Sequence, residues 1–238
     1  MQNNSFSLEN SLKVLQKSFL FEKMDKEEIK QIIKSSTLIS WKRNETIDSD
    51  IGAKYFHIIL KGRLKITCIN PQNGRSISLF ILSSGDIFDI VTLLDGKEHI
   101  VFPVAMDDIF ALRFPLKKAR QLLKDYPDFN ASFLPYLGQT VRELEDFGES
   151  LVFNDTSVRL AKLILKHTSP KEIQDHHHVK LINNLSHESL AEMIGSVRSV
   201  VSTQMEKLKK EGIILSKRGY LAVKNLEKLI EKCDDFKI

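Results

Sequence analysis

The residues with the most recognisable chemistry belong to a predicted helix that begins near residue 197. One side of this helix carries a cation and three short hydroxyl side chains: Arg198, Ser199, Ser202 and Thr203. An arginine can make paired hydrogen bonds to guanine in the major groove, and short side chains let a helix approach the base edges. The other side is apolar at steps of four, four and three residues: Val197, Val201, Met205 and Leu208. The pattern predicts a helix that packs on a core and faces DNA, with an ordinary helical hairpin as the alternative.

A second predicted helix and a tight turn precede this helix. Counted from His187 as the first position, Ala191 stands at position five, Gly195 at nine and Val201 at fifteen. The small Ala191 side chain lets two helices cross closely, and Gly195 supplies a left-handed backbone that a side chain would penalise. Residues 186–210 therefore have the pattern of a helix-turn-helix.

A basic hairpin follows directly. Glu211-Gly212 ends the second helix, residues 213–215 and 220–223 are predicted strands, and Lys217-Arg218-Gly219 forms the turn between them. A helix-turn-helix with such a hairpin is a winged helix, and two cations at the tip of the wing suit a phosphate backbone. We predict that the following residues contact double-stranded DNA: Ser196, Val197, Arg198, Ser199, Ser202, Thr203, Lys217 and Arg218.

Charge and composition agree with this function. Residues 1–153 carry 20 Lys or Arg and 20 Asp or Glu, whereas residues 154–238 carry 15 and 11, which gives the whole formal charge of +4. A positive excess confined to the helix-turn-helix segment fits nucleic-acid binding. The N-terminus lacks a secretory pattern, no stretch is apolar enough to span a membrane, and a count of two cysteines argues against a disulfide framework. We expect a cytoplasmic protein with no membrane partner.

The first half of the chain is predicted to be a β-roll. Residues 8–36 have helical spacing, whereas residues 37–115 alternate short β-rich runs with turn signals. The clearest runs are residues 55–60, 64–69, 76–82 and 109–114. The turn signals include Asn44, Gly52, Gly62, Gly74, Gly85 and Gly96. Many short strands at regular spacing indicate an antiparallel barrel or jelly roll.

A long helix is predicted to follow the roll. After a short helix at 117–125, residues 127–152 repeat at alternating steps of four and three: Phe133, Leu137, Thr140, Leu144, Phe147 and Leu151. This heptad pattern predicts a two-stranded coiled coil and a homodimer, although packing against the roll alone would give a similar pattern. Asn154-Asp155 then interrupts the helix and caps the next one, which places a hinge there.

These elements predict an α+β fold in three parts. A sensor domain at 1–126 contains the antiparallel β-roll and flanking helices, a dimerisation helix and hinge span 127–153, and a winged-helix DNA-binding domain spans 154–238. We find no local nucleophile–base pair, metal signature or glycine-rich phosphate loop, so an enzyme is not predicted. The alternative to a DNA-binding regulator is a protein-interaction module whose winged helix is structural.

In this order the elements resemble the Crp/Fnr superfamily of bacterial transcription regulators. The resemblance is carried by FHIILKGRLK at 56–65, NGR at 73–75, GDIF at 85–88, LLDG at 93–96 and the helix-turn-helix. It implies a cyclic-nucleotide-binding-like roll and a homodimer on a two-fold symmetric operator, with recognition helices about one turn of DNA apart. It also implies contact with RNA polymerase.

The departures from the family pattern argue against cyclic AMP. Members that bind it carry Gly-Glu after the GDxF stretch, Arg-Ser or Arg-Thr about ten residues later, and Thr-Ser on the long helix. The corresponding residues here are Asp89-Ile90, His99-Ile100 and Leu144-Glu145. Contacts to ribose, phosphate and adenine would all be lost, and an unpaired phosphate in a pocket is costly.

Two other branches of the family define further expectations. The iron–sulfur branch needs four cysteines, so such a cluster is not expected. The haem branch senses carbon monoxide or nitric oxide and needs an apolar slot with an axial ligand, for which His57 or His99 is the candidate; another small ligand, or none, stays open. The predicted effector pocket comprises Asp89, Ile90, His99, Ile100, Val141, Leu144 and His57.

The run Asp175-His176-His177-His178 is predicted to be a polar loop before a strand at 179–181, because successive side chains rarely converge on one metal ion. By the resemblance, this loop lies near the surface with which some relatives touch RNA polymerase.

Overall fold

The computed structural model describes residues 6–48, 54–173 and 176–234. Gly52 and Asp175, which the sequence places in turns or loops, lie outside the described residues. The chain divides into two compact units, one of residues 1–69 and 80–142 and the other of residues 70–79 and 143–238. No helix in the described ranges is long and apolar enough to cross a membrane.

The helices of the first half begin with two short ones where the sequence predicts one long helical stretch. Residues 16–25 separate them, and Asp25 starts the second helix with a capping box. Its carboxylate accepts from the Glu27 amide, while the Glu28 carboxylate accepts from the Asp25 amide. The helices up to the end of the long helix are α1 (Leu8–Leu15), α2 (Lys26–Lys34), α3 (Ile90–Asp95), α4 (Leu116–Asp125) and α5 (Pro127–Phe153).

The predicted β-roll is confirmed as two antiparallel sheets. Its strands are β1 (Thr37–Trp41), β2 (Tyr55–Lys61), β3 (Leu64–Ile69), β4 (Ser76–Leu82), β5 (Ile87–Phe88), β6 (Phe102–Ala105) and β7 (Ile109–Pro115). One sheet has the order β1-β7-β2-β5 and the other the order β4-β3-β6. The four predicted β-rich runs are all strands, and Gly62, Gly74, Gly85 and Gly96 have the positive φ that such turns require.

Strand β2 is buried on both faces, which fixes where its side chains go. Phe56, Ile58 and Leu60 point into a core shared with the helices. Ile59 points the other way, into a second core between the sheets. His57 shares the side of Ile59, since alternate residues of a strand face the same way. A strand between two cores has no room for a solvated side chain at position 57.

The predicted heptad repeat is wrong at Phe133. It is 1% exposed and packs in the helix-facing core with Phe129 and Phe21. It therefore cannot face a second chain, and the side of α5 that is free to do so must lie elsewhere on the helix.

The second half contains the winged helix. Its elements are α6 (Thr156–Lys166), β8 (Thr168–Ile173), β9 (His176–Val179), α7 (His187–Met193), α8 (Arg198–Lys210), β10 (Ile214–Lys217), β11 (Tyr220–Val223) and α9 (Leu226–Asp234). The strands form one sheet in the order β10-β11-β9-β8. As predicted, Asp155 caps the helix after the long helix, accepting from the Ser157 and Val158 amides.

The histidine run is a strand, so its prediction as a loop was wrong. His178 pairs with Ala222 and His177 with Val223 of β11. His177 Nδ1 lies 3.0 Å from the Ser169 carbonyl oxygen, while the rings of His176 and His178 both contact the Tyr220 ring. Alternation along the strand thus separates the three imidazoles between two faces of the sheet.

Candidate nucleic-acid interface and effector loop

The turn of the helix-turn-helix is built as the sequence predicts. The Ser186 hydroxyl accepts from the Ser189 amide and starts α7. Gly195 has φ +60°, and a Cβ at this position would lie 2.7 Å from Leu151 Cδ2. The backbone conformation therefore favours glycine, and a side chain here would also have to displace the end of the Leu151 side chain. Ala191 is buried, as expected for the crossing of α7 and α8.

Helix α8 has the predicted division into two faces, with one exception. Val201, Met205 and Leu208 are buried, but Val197 precedes the helix as its N-cap and is 48% exposed, so it does not belong to the inward face. Val197 instead joins the surface at the start of the helix, where it is predicted to contact DNA.

The outward face of α8 is open at its first turn. Arg198 and Ser199 are exposed, as is Thr203, whose hydroxyl donates to the Ser199 carbonyl at 3.1 Å. Ser202 is less free, since its hydroxyl lies 2.8 Å from His187 Nδ1. Val200 is also exposed beside these residues, and the sequence analysis did not name it. Its position three residues before Thr203 would have placed it on this face, where an apolar side chain suits a thymine methyl group.

The wing presents the two predicted cations. Lys217 pairs with Tyr220 across the β10–β11 hairpin, and Gly219 makes the turn with φ +73°. The Lys217 ammonium lies 5.4 Å from the centre of the Tyr220 ring, within the range of a cation–π contact, and Arg218 is exposed. The wing tip therefore carries two cations on a tight turn.

In the roll, the residues of the predicted effector loop are brought together around Asp89. Its buried carboxylate caps α3, accepting from the Val91 amide at 3.0 Å and from the Thr92 hydroxyl at 2.8 Å. His99 Nδ1 lies 2.9 and 3.0 Å from the two carboxylate oxygens and donates to them. This hydrogen bond raises the pKa of His99 above its usual value, while partial burial opposes the rise.

Arg120 is also hydrogen-bonded to this loop, a role of Arg120 that the sequence did not indicate. Its guanidinium donates to the Leu93 carbonyl at 2.9 Å and to the Thr92 carbonyl at 3.0 Å, near the C-terminal end of α3. A cation at this end of a helix satisfies carbonyls that have no partner within the helix. The loop between Asp89 and His99 is thus closed by the chain's own side chains.

His57 does not belong to an accessible pocket. Its ring is fully buried 5.2 Å from the Trp41 ring and 6.2 Å from the Phe88 ring, and neither ring nitrogen makes a well-formed hydrogen bond with a described residue. Burial, with a smaller contribution from the charge of Arg113, lowers the pKa of His57 to about 3. The expectation that His57 is an axial haem ligand is therefore corrected: it is a neutral core side chain.

The apolar residues of the predicted effector pocket do not line one buried slot. Ile90 is half-buried against the helix-facing core, whereas Ile100 is 74% exposed and does not line a buried slot. Val141 and Leu144 are exposed on α5. Among the described residues, no group of three His, Cys, Asp or Glu side chains is placed to hold a metal ion.

A roll of the cyclic-nucleotide-binding kind, a long helix and a winged helix with exposed cations at the start of α8 and on the wing define a DNA-binding transcription regulator. Residues 40–126 match the family model of the cyclic nucleotide-binding domain, and residues 158–232 match that of the Crp-like helix-turn-helix domain. The chain belongs to the Crp/Fnr superfamily of transcription regulators.

Individual relatives agree with this assignment. The global nitrogen regulator of Synechocystis sp. is 25% identical over 175 residues, 73% of this chain and 77% of the relative. The CRP-like cAMP-activated global transcriptional regulator of Mycobacterium tuberculosis is 20% identical over 221 residues, 92% of this chain and 98% of the relative. The structure of a CooA mutant from Carboxydothermus hydrogenoformans has the same fold, with a TM-score of 0.72 and 22% identity over 84% of this chain and 89% of that chain.

Proposed function

We propose that the protein acts as a homodimer that binds a two-fold symmetric DNA operator, each chain placing the first turn of α8 in the major groove. The observation that carries this proposal is the first turn of α8, where Arg198, Ser199 and Val200 are exposed while Val201 and Met205 anchor the helix from behind. Such a helix is held rigidly yet leaves its base-reading side chains free. Arg198 then recognises guanine, and Lys217 with Arg218 holds the phosphate backbone.

The two kinds of contact are separable by mutation. Arg198→Ala is expected to cost about 1–3 kcal/mol of binding free energy and to relax base preference, because a base contact is lost. Arg218→Ala is expected to weaken binding to all sequences alike and to reduce the dependence on salt, because a phosphate contact is lost. The measurement is fluorescence anisotropy with an operator selected from random DNA, at several salt concentrations.

Lys34→Ala, which changes an exposed lysine on α2, is the matched control for loss of charge. If Arg198→Ala binds the selected operator as tightly and as selectively as the wild type, α8 is not the reading helix. Failure to select any sequence would favour the alternative of a protein-interaction module with a structural winged helix.

The effector is proposed to be something other than cyclic AMP. Ile90 and His99 stand where the resemblance places the ribose and phosphate contacts of cyclic-AMP-binding members, and the neighbouring Asp89 carboxylate binds His99. An arginine is absent from the phosphate position, and the carboxylate that would take a hydroxyl is already occupied by Thr92 and His99. Cyclic AMP added in excess is expected to leave both the melting temperature and DNA affinity unchanged.

Haem is one candidate effector-binding group, with His99 as its ligand, although the described residues of a single chain do not form the apolar slot that haem needs. A metal-bound histidine donates its second ring N–H to a carboxylate, a backbone carbonyl or water, and Asp89 would supply a carboxylate here while the His99 ring stays partly exposed. His57 does not fit, because it lies inside the core. When bound, haem would supply an iron that takes carbon monoxide or nitric oxide.

The test is a visible spectrum of the protein purified after expression with added haem, before and after exposure to either gas. A Soret band that shifts with gas and disappears in His99→Leu, but survives in His57→Leu, would support this ligand. A featureless spectrum from folded protein would turn the search to small organic ligands, or to regulation without a ligand.

Contact with RNA polymerase is proposed at the outer face of β9. His176 and His178 lie there beside Tyr220 and are partly exposed. Replacing both histidines by alanine is expected to lower activated transcription in vitro while leaving operator affinity unchanged. Full activation by the double variant would remove this contact from the proposal.

A further inference from the structure

Residues 70–79, which form the β3–β4 turn and the start of β4, belong to the same compact unit as the winged helix. We call residues 70–79 the turn segment. It is hydrogen-bonded to helix α7 through two serines. The Ser76 hydroxyl donates to Glu192 Oε1 at 2.8 Å, and the Ser78 hydroxyl donates to Glu192 Oε2 at 3.4 Å. Ser76 and Ser78 point the same way because they alternate along the strand. Both oxygens of one carboxylate are therefore held by one strand.

The turn segment also lies against the turn of the helix-turn-helix. Ile77 Cδ1 is 3.7 Å from the point where a Cβ of Gly195 would lie, and Leu151 Cδ2 is 2.7 Å from it. Gly195 immediately precedes Ser196, Val197 and Arg198, the start of the surface proposed to meet DNA. The turn segment thus contacts α7 through hydrogen bonds, and its Ile77 lies beside the turn that precedes α8.

We propose that the turn segment is an autoinhibitory clamp, which holds the helix-turn-helix through Glu192 and is released when DNA binds. This inference rests on the proposed DNA-binding function. A duplex that reaches the first turn of α8 approaches the place beside Gly195 that Ile77 occupies. The free energy of the serine–carboxylate contacts is then subtracted from the free energy of DNA binding. A signal that withdraws the turn segment from Glu192 would raise DNA affinity without altering any residue that touches DNA.

The first test is DNA binding by the full chain with both serines changed to alanine. Ser76→Ala with Ser78→Ala removes both hydrogen bonds and leaves α7, α8 and the wing intact. Because hydrogen bonds to a charged group contribute more than neutral ones, we expect binding about threefold to tenfold tighter than wild type. Affinity is measured by anisotropy with a fluorescein-labelled duplex of random sequence at fixed salt. Gln72→Ala, an exposed change at the tip of the same turn, is the control and should bind as the wild type does.

Hydrogen exchange supplies an independent reading of the clamp. Amides of residues 70–79 and of α7 are expected to exchange faster in the serine double variant than in Gln72→Ala, and faster in the wild type once DNA is added. If the wild type and Gln72→Ala bind DNA and the serine double variant binds no more tightly than the wild type, the clamp proposal is wrong while the proposed DNA-binding function stands. If no form binds any duplex, the proposed function fails and the clamp fails with it; the two failures are therefore distinguishable.

Discussion

At the scale of single residues, His57 and His99 show how the same side chain acquires opposite roles within one roll. His57 is shut between Trp41 and Phe88, so its charged form is excluded and its pKa falls to about 3. His99 meets the Asp89 carboxylate, so its charged form is favoured and its pKa rises. His57 therefore destabilises the folded protein in acid. His99 stabilises the folded protein at pH values below the pKa that it has in the unfolded chain, and this stabilisation is lost as the pH rises through its pKa in the folded protein.

The acid sensitivity of the fold is predicted to depend on His57. In the unfolded chain this ring takes up a proton below about pH 6.5, while in the folded chain it stays neutral until about pH 3. Folding should therefore lose about 2 kcal/mol at pH 5 on account of this one group. His57→Leu, which is similar in volume and cannot be protonated, is expected to remove that loss. The measurement is urea denaturation at pH 5 and pH 7.5.

His167, whose pKa burial lowers to about 4, contributes acid sensitivity in the same direction, so some remains in the variant. His176→Gln, which changes a partly exposed histidine of β9, serves as the control. A variant that loses as much stability between the two pH values as the wild type would contradict the assignment of His57 as a buried neutral group.

At the scale of elements, the turn between α7 and α8 depends on a glycine for two separable reasons. Gly195→Ala meets both a positive φ and the Leu151 side chain at 2.7 Å. Gly212→Ala meets a positive φ of +70° with no atom within 4 Å, so it measures the backbone cost alone. We expect about 1 kcal/mol for Gly212→Ala and about 2–4 kcal/mol for Gly195→Ala. Thermal denaturation compares them, and equal losses would show that Leu151 yields without cost.

The helix-turn-helix was predictable because its signals are local. Ala191, Gly195 and Val201 fix the turn and the crossing through their own size and backbone, within a short stretch of chain. The histidine strand was not predictable, because its place is decided by pairing with β11, more than forty residues away. A polar run carries no alternation of apolar residues from which a strand can be recognised.

The face of α5 shows the same limit within a correctly predicted helix. Phe133 and Leu134 are adjacent and both apolar, so periodicity alone allows either to face the roll. Burial of Phe133 in the roll core decides the matter and leaves Leu134 63% exposed. Likewise, the placement of Asp89 and His99 in one pocket came from the family resemblance, but their direct bond depends on how the intervening loop closes.

At the scale of the whole molecule, we propose a revised dimer face on the exposed side of α5. Leu134, Leu137, Val141, Leu144 and Gly148 follow alternating steps of three and four along the helix. Leu134, Val141 and Leu144 are exposed, and a Cβ at Gly148 would meet no atom within 4 Å. A heptad repeat of exposed apolar residues, ending in a residue that permits close approach, is the pattern of a two-stranded coiled coil. This face keeps Leu137 and Leu144 of the predicted repeat, and it has Leu134, Val141 and Gly148 in place of Phe133, Thr140 and Phe147. Leu151 of the predicted repeat is not part of it.

Dimerisation and DNA binding are predicted to fail together when this face is charged. The double change Val141→Glu with Leu144→Glu places two carboxylates per chain in the dimer face, where they would meet those of a second copy. Because like charges repel, the protein should become a monomer, which sedimentation velocity measures. Each monomer then holds a single half-site, and affinity for the full operator should fall about a hundredfold or more because the second contact is no longer intramolecular. Glu145→Lys with Asp146→Lys changes exposed residues beside the dimer face and should leave the dimer intact. If the variant with both glutamates stays dimeric, the interface lies elsewhere. If it is a monomer that keeps full affinity for the operator, the two recognition helices do not act together.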